Sequence, residues 1–296
     1  MPADPAVTEF LRTRRARISP QDAGLPAYGG NRRVPGLRRE EVAMLAGVSV
    51  DYYVRLERGN LSGASDSVLD SLATALQLDP AERDHLYDLA RASGPARSAP
   101  KQTATTLRPT VQRILDSISA PAWVRNGRLD HLAHNRASRA LYAPLLMSGE
   151  RPVNTARFVF LDPAGTEYFP DWAKAAADVT ALLRMEVGKR PRDPALTQLI
   201  GELSTRSEEF RRLWARHDVT FHRSGRKRIY HPAVGILELE LEGMELPSDP
   251  DLTLLVYAVE PGSAVADKLA LLEIWADEQE ALGADYSSPA GGWVRK

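Results

Sequence analysis

The run Gly36-Leu-Arg-Arg-Glu-Glu-Val-Ala-Met-Leu-Ala-Gly47, followed by Val48-Ser49, restricts this chain more than any other stretch. Leu37, Val42, Leu45 and Ala46 fall on one face of a short helix, and Gly47 is free to take the left-handed conformation that ends it. Val48 follows as a buried plug. Ser49 suits the N-cap of a second helix over Val50–Arg58, which Gly59 closes. On that helix Tyr53 and Leu56 stand three apart and face inward, which turns Val50, Asp51, Val54 and Arg55 outward. Two short helices joined by a tight glycine turn, the second with a polar outer face, have the geometry that enters a DNA major groove. Side chains near the start of the second helix, Ser49 onward, then reach base edges.

Three more helices complete an all-α bundle of five over residues 1–92. Val7, Phe10, Leu11 and Arg14 mark the first. Val68, Leu69, Leu72, Ala73 and Leu76 form an i, i+3, i+4 stripe after Asp66. Asp79-Pro80-Ala81-Glu82 opens the last, with an acidic N-cap, a proline at the first helical position and a glutamate three residues on. The formal net charge of −1 argues by itself against a nucleic-acid partner. Its distribution argues the other way. Arg12, Arg14, Arg15, Arg17, Arg32, Arg33, Arg38 and Arg39 lie between Phe10 and Arg39 with Asp22 as the one acid, whereas Asp66–Ala90 is acidic. A bundle polarised in this way offers its basic side to phosphate. Arg14, Arg32 and Arg33 therefore join the candidate DNA contacts.

The run Gly47–Gly59 resembles the lambda-repressor-like, or XRE-type, helix-turn-helix. More narrowly, Arg32-Arg33-Val34-Pro35-Gly36-Leu37-Arg38-Arg39-Glu40-Glu41 with Asp51-Tyr52-Tyr53 resembles the MmyB-like regulators. The resemblance covers residues 6 to 92. It implies recognition-helix contacts at Val50, Asp51 and Arg55, a first-helix contact at Arg39, and backbone-phosphate contacts at Arg38 and Tyr52. Glu57 has a different expected role: an acid there braces a nearby arginine, and Tyr53 belongs to the core.

Residues 93–106 are small, polar and proline-bearing and read as a tether. A second domain is expected over 107–285, with a tail at 286–296. Val111, Ile114, Leu115 and Ile118 make its opening helix. Ala122–His134 reads as a hairpin, because Asn126-Gly127 suits a two-residue type I′ turn. Helices follow over Arg136–Leu146, Asp171–Lys189, Pro194–Leu203 and Glu208–Trp214. Ser224–Arg228 reads as an exposed hairpin turn and His231-Pro232 as a turn that sets the start of a strand. Leu237–Glu242 alternates strictly and is half-buried, while Leu252–Val259 is apolar on both faces and belongs at the centre of a sheet. A helix over Ala264–Leu282 closes the domain. The whole is an α+β multidomain chain whose second half has the order of a PAS-like fold, an antiparallel sheet with helices packed on it.

That half also resembles the MmyB-like ligand-binding domain. The shared features are Asn135, Asn154–Phe160, Trp172 with Ala175 and Ala176, Ser207–Phe210, Trp214, His217-Asp-Val219, His231–Gly235 and Pro261-Gly-Ser263. The resemblance implies a pocket for a fatty-acid-like or other small amphipathic molecule. The aromatics Trp123, Phe158, Phe160, Trp172, Phe210 and Trp214 line either such a pocket or a plain core. Asn135, His217 and His231 are the polar groups that would orient a ligand, with Arg157 as a further donor to a carboxylate.

Other chemistries find little support. The chain has no cysteine, which fits a reducing cytoplasm and removes disulfides, thiolate metal sites and cysteine nucleophiles. His131 and His134, three apart on a strand, are expected on opposite faces and so cannot share a metal. No hydrolase elbow or phosphate-cradling glycine loop occurs, so no enzyme, cofactor or metal is expected. Met1–Glu9 lacks the apolar segment of a signal peptide and no run is long enough to span a membrane. The expectation is a cytoplasmic, homodimeric regulator that binds double-stranded DNA and responds to a small ligand. The rival reading keeps the DNA-binding head and makes the second domain a filled interaction platform.

Overall fold

The computed structural model describes residues 4–25, 36–94, 107–147, 152–219 and 224–281. Arg32, Arg33, the tether from 95 to 106 and the tail at 286–296 lie outside the described residues. The chain divides into two compact units. The first is Met1–Lys101 together with Arg184–Asp193 and Trp214–Thr220; the second is Gln102–Leu183, Pro194–Leu213 and Phe221–Lys296.

The first unit contains α1 (Pro5–Arg17), α2 (Arg39–Leu45), α3 (Val50–Glu57), α4 (Asp66–Ala75) and α5 (Pro80–Ala92). Val7, Phe10, Leu11, Leu37, Val42, Tyr53, Leu56, Leu72 and Leu86 are fully buried and form its core. The turn between α2 and α3 follows from its sequence. Gly47 has φ +65°, its N–H bonds to the Met44 carbonyl, and the Val48 N–H reaches back to the Ala43 carbonyl at 3.0 Å. These two bonds satisfy carbonyls that the end of α2 leaves open. Ser49 Oγ accepts from the Tyr52 N–H at 3.2 Å, and Asp79 and Glu82 cap α5 reciprocally. Gly59 is required twice over: φ is +93°, and a Cβ would lie 2.5 Å from the backbone of Asp4. Leu45 departs from expectation. It is exposed, and Ala43 takes its place inside, because α2 starts at Arg39 and its inward face runs through Val42, Ala43 and Ala46.

The second unit opens with α6 (Pro109–Ser117), β1 (Ala122–Asn126) and β2 (His131–His134). Helices α7 (Arg136–Leu141), α8 (Ala143–Leu146), α9 (Thr155–Leu161), α10 (Ala164–Tyr168), α11 (Trp172–Lys189), α12 (Pro194–Arg206) and α13 (Glu208–Trp214) follow. From Arg184 on, α11 is counted with the first unit. The chain then returns to the sheet through β3 (Ser224–His231), β4 (Gly235–Leu246) and β5 (Asp249–Ala258), and ends in α14 (Ala264–Ala281). The five strands run β2-β1-β5-β4-β3, with every pairing antiparallel. β5 is central, and β4 buries Leu237, Leu239 and Leu241 while its glutamates face solvent. Helix α6 lays Val111 and Leu115 against Ala122, Val124 and Leu254 on one face of the sheet.

Three local expectations are corrected. Ser224–Arg228 is not a turn but the first part of β3, paired residue by residue with β4 from Ser224↔Glu242 to Arg228↔Glu238. The turn of that hairpin follows His231, where the Val234 N–H bonds back to the His231 carbonyl. The Asn126 hairpin is not a two-residue type I′ turn. Its loop is three residues long, and the residue at positive φ is Leu129 (+68°). The reason is that the Asn126 side chain is committed elsewhere: Oδ1 accepts from the Asp130 N–H at 3.0 Å and Nδ2 donates to the Asp130 carboxylate at 2.8 Å. Finally, His131 and His134 share a face. Trp123 pairs with His134 and Arg125 with His131, so one residue of β2 is extra, and the bulge cancels the alternation.

Candidate functional site

Two regions carry candidate function, one in each unit. In the first, Arg38, Arg39, Ser49, Asp51 and Arg55 are exposed, Val50 is 46% exposed and Tyr52 is half-buried. All lie at the start of α2 or along α3, which pack on each other. The face they make is held from beneath by Glu57. This carboxylate is 2% exposed, lies 2.7 Å from Arg15 Nε, and accepts from Arg39 Nε on its other oxygen. Arg15 also donates to the Leu37 carbonyl at 2.8 Å. One buried anion therefore ties α1, α2 and α3 together and leaves half of the Arg39 side chain in solvent. Burial, with the Glu57 charge beside it, pushes the Tyr53 hydroxyl far above its ordinary range and keeps it neutral.

Arg14 does not belong to this face. It is 2% exposed, its Nε lies 2.8 Å from Glu82, and its Nη2 donates to the His217 carbonyl. It lies seven residues after Val7 on the same helical stripe, so α1 turns it into the interior. Burial pulls its pKa down and the Glu82 charge opposes this.

The residues singled out in the second half do not converge on one place. Trp123 lies on the sheet face opposite α6, against Tyr142 (4.8 Å between ring centroids) and Tyr257 (5.3 Å). Tyr142 and Tyr257 share a hydrogen bond between their hydroxyls at 2.9 Å, and Tyr168 links this group to Phe158 at 5.5 Å. His131 stacks on the Trp123 side. Its Nδ1 is 3.0 Å from His134 Nε2, its Nε2 is 2.8 Å from Thr155 Oγ1, and His134 Nδ1 is 2.8 Å from Ser138 Oγ. Burial holds His134 down to about 3 and His131 well below its ordinary value. Both rings are therefore neutral, and with one N–H each they complete an unbroken hydrogen-bonded row. Burial also raises the Tyr142 and Tyr168 hydroxyls well above their usual range. The buried Trp123 Nε1 finds no acceptor among the described residues. Tyr142, Tyr168 and Tyr257 went unnoticed in the sequence because single tyrosines on apolar stripes carry no signal beyond burial.

The other sequence-selected residues hold the fold. Asn135 uses its whole hydrogen-bonding capacity: Oδ1 accepts from the Ala122 and Ser138 N–H groups, and Nδ2 donates to the Ile118 and Ala120 carbonyls. Arg157 pairs with Glu202 at 2.9 Å. Phe160, Trp172 and Phe210 form a separate edge-to-face group, and Trp172 donates to the Val159 carbonyl. His231 is buried edge-on against Trp275. Trp214 and His217 are counted with the first unit, away from the tyrosines in the division of the chain. Among the described residues no group of three His, Asp or Glu side chains is arranged to hold a metal, and no helix is long and apolar enough to cross a membrane.

Comparison with known families gives two matches. A family model described as the MmyB-like transcription regulator ligand binding domain matches residues 107–272. A model described as a helix-turn-helix domain matches residues 6–86. No curated protein matches the chain.

Proposed function

Since the chain belongs to the MmyB-like transcription regulator ligand-binding-domain family and carries a helix-turn-helix domain ahead of that region, we propose that it is a regulator whose hold on DNA is set by a fatty-acid-like molecule. The observation that carries the DNA half is the exposed face of α2 and α3, with Arg38, Arg39, Asp51 and Arg55 braced by the buried Glu57. Arg38 and Tyr52 take phosphates, while Val50, Asp51 and Arg55 meet base edges in the major groove. The working form is a homodimer, since one recognition helix reads too few bases and two-fold proteins read two-fold sites. The compartment is the one that holds the DNA, the cytoplasm. The role is regulatory and not enzymatic.

For the ligand half, support comes from the family and from the apolar, tyrosine-rich face around Trp123, whose indole N–H is a buried donor without an acceptor among the described residues. A carboxylate or other polar head docks there, and the tail lies on the apolar face of a PAS-like sheet. Arg157 and His217 are less suited to the head, because each is engaged elsewhere, whereas His231, buried beside Trp275, has no hydrogen-bond partner for Nε2 among the described residues and stays a candidate.

One titration tests both halves. A labelled duplex selected by the full-length chain from a random pool is bound at several salt concentrations, with and without saturated fatty acids of increasing length. Affinity should fall steeply with salt, by close to one logarithmic unit per neutralised phosphate per decade. A fatty acid should also shift both the melting temperature and the DNA affinity, because coupling between two sites is reciprocal. A flat salt profile removes DNA from the reading. Stabilisation with no change in DNA affinity leaves a binding domain without a regulatory role, and no stabilisation by any chain length favours the interaction platform.

A further inference from the structure

Arg14 and Arg15 are neighbours on α1 yet are gripped from opposite sides of the first unit. Arg15 runs to Glu57 and the Leu37 carbonyl, beneath the outward face of α3. Arg14 runs the other way, to Glu82 of α5 and the His217 carbonyl. α1 is therefore a bar with the recognition helix at one side and, at the other, a buried cluster formed with Arg184–Asp193 and Trp214–Thr220, segments of the same unit.

That cluster is tightly interlocked. The Arg184 guanidinium lies over the Trp214 ring, 3.8 Å from its centroid, within the range of a strong cation–π contact. Its Nη1 is 3.0 Å from His217 Nδ1, and its Nη2 donates to the Trp214 carbonyl. His217 holds φ at +55°, a left-handed conformation uncommon for a residue with a Cβ. Arg14 on its carbonyl and Arg184 on its ring hold it in that place. At Gly188, near the end of α11, a Cβ would lie 2.6 Å from the His85 ring, so the helix backbone presses directly on α5. His85 in turn meets Phe10 of α1 edge-on at 5.0 Å. The void of about 10 Å³ among Phe10, His85, Arg184 and His217 has room for one water-sized group and excludes an organic ligand.

The cluster also brings like charges together. Burial and then the neighbouring Arg14 charge lower Arg184 to about 10, so two like charges sit near one another in a desolvated place. They remain there because Glu82, the His217 carbonyl and the Trp214 ring hold them.

We propose that Arg14, His85, Arg184 and His217 form a latch that positions α1 and, through Arg15 and Glu57, sets the DNA-binding geometry of α3. Arg184 and Gly188 both stand in the last turns of α11. The proposal rests on the reading that the first unit binds DNA. None of the four is a DNA contact; they are positioning residues.

The test uses the full-length chain, the duplex selected by the wild type, and two variants, Gly188→Leu and Arg184→Lys. Gly188→Leu forces the latch open against His85, while Arg184→Lys keeps the charge and loses the planar fork over Trp214. DNA affinity should change by at least about fivefold in Gly188→Leu and in the same direction, less strongly, in Arg184→Lys. Amide exchange should rise in α1 and α3 and stay as in the wild type in β4 and β5. Affinity within about twofold of wild type in both variants, with unchanged exchange in α3, overturns the latch. If Gly188→Leu does not fold, Arg184→Lys decides on the same two readouts. If the wild type selects no duplex, the DNA reading falls, and exchange in α3 still decides the latch.

Discussion

Glu57→Ala removes the buried anion beneath the candidate DNA face, and its cost can be worked from the geometry. The carboxylate is 2% exposed and faces Arg15, whose side chain is 13% exposed, and Arg39, which is 50% exposed. Taking one partner from a buried pair costs roughly 3–5 kcal/mol, because the other charge stays behind without compensation. Arg15 falls at the low end of that range, since the Leu37 carbonyl still accepts one of its N–H groups. Arg39 adds less than about 1 kcal/mol, because its guanidinium can turn to water. The sum is about 3–4 kcal/mol. A domain of this size loses roughly 4–8 °C of melting temperature per kcal/mol, so the first unit should melt some ~12–30 °C lower. Differential scanning calorimetry of the full-length chain reads this as a downward shift of one transition. A double-mutant cycle with Arg15→Met isolates the pair and should return a coupling of about 1.5 kcal/mol or more. A loss below about 1 kcal/mol, with no coupling, would show that Glu57 behaves as an ordinary surface acid and that its burial supports nothing.

Further outcomes follow from other residues. Arg55→Ala should lose discrimination at one base pair, by about 1–3 kcal/mol, whereas Arg38→Ala should weaken all duplexes alike; competition binding against single-base variants separates the two, and full discrimination in Arg55→Ala refutes the register along α3. Acid should destabilise the first unit: burial lowers His85 to about 3 and His217 to about 4, below the unfolded value near 6.5, so the unfolded chain takes up protons first as pH falls. Their contribution is complete above pH ~6.5 and declines toward the folded values, by roughly 2 kcal/mol for each histidine at pH ~5, and a melting temperature constant from pH 7.5 to 5 contradicts this. Asn135→Ala strands two buried N–H groups and two carbonyls at the start of β1 and α7, so the second unit should lose about 3 kcal/mol or more in urea unfolding, and a loss within 1 kcal/mol would mean that water replaces the amide.

Much of the first unit, and β4 of the second, was legible because the signals are short-range. Helix stripes, the Ser49 and Asp79 caps, the glycine stop at Gly47 and the strict alternation of β4 depend on residues within a few positions of one another, and each element formed where its pattern stood. The sequence also determined which face of α3 turns outward, since Tyr53 and Leu56 have no other place to be buried. It could not tell Arg14 from its neighbours. Four arginines stand within six positions of α1, and the one that turns inward finds an acceptor 203 positions away in the chain, at His217. Nor could alternation bring His131 and His134 together, because one extra residue in β2 reverses the faces and only the pairing with β1 shows where it falls. Asn126-Gly127 promised one turn and made another once Asp130 engaged the asparagine side chain. The same holds for α11, one continuous helix whose last turns are counted with a different unit. For Arg14 and α11 the deciding contact lies between distant segments, while for the two hairpin features it lies in side-chain bonds and strand register that residue type alone does not encode.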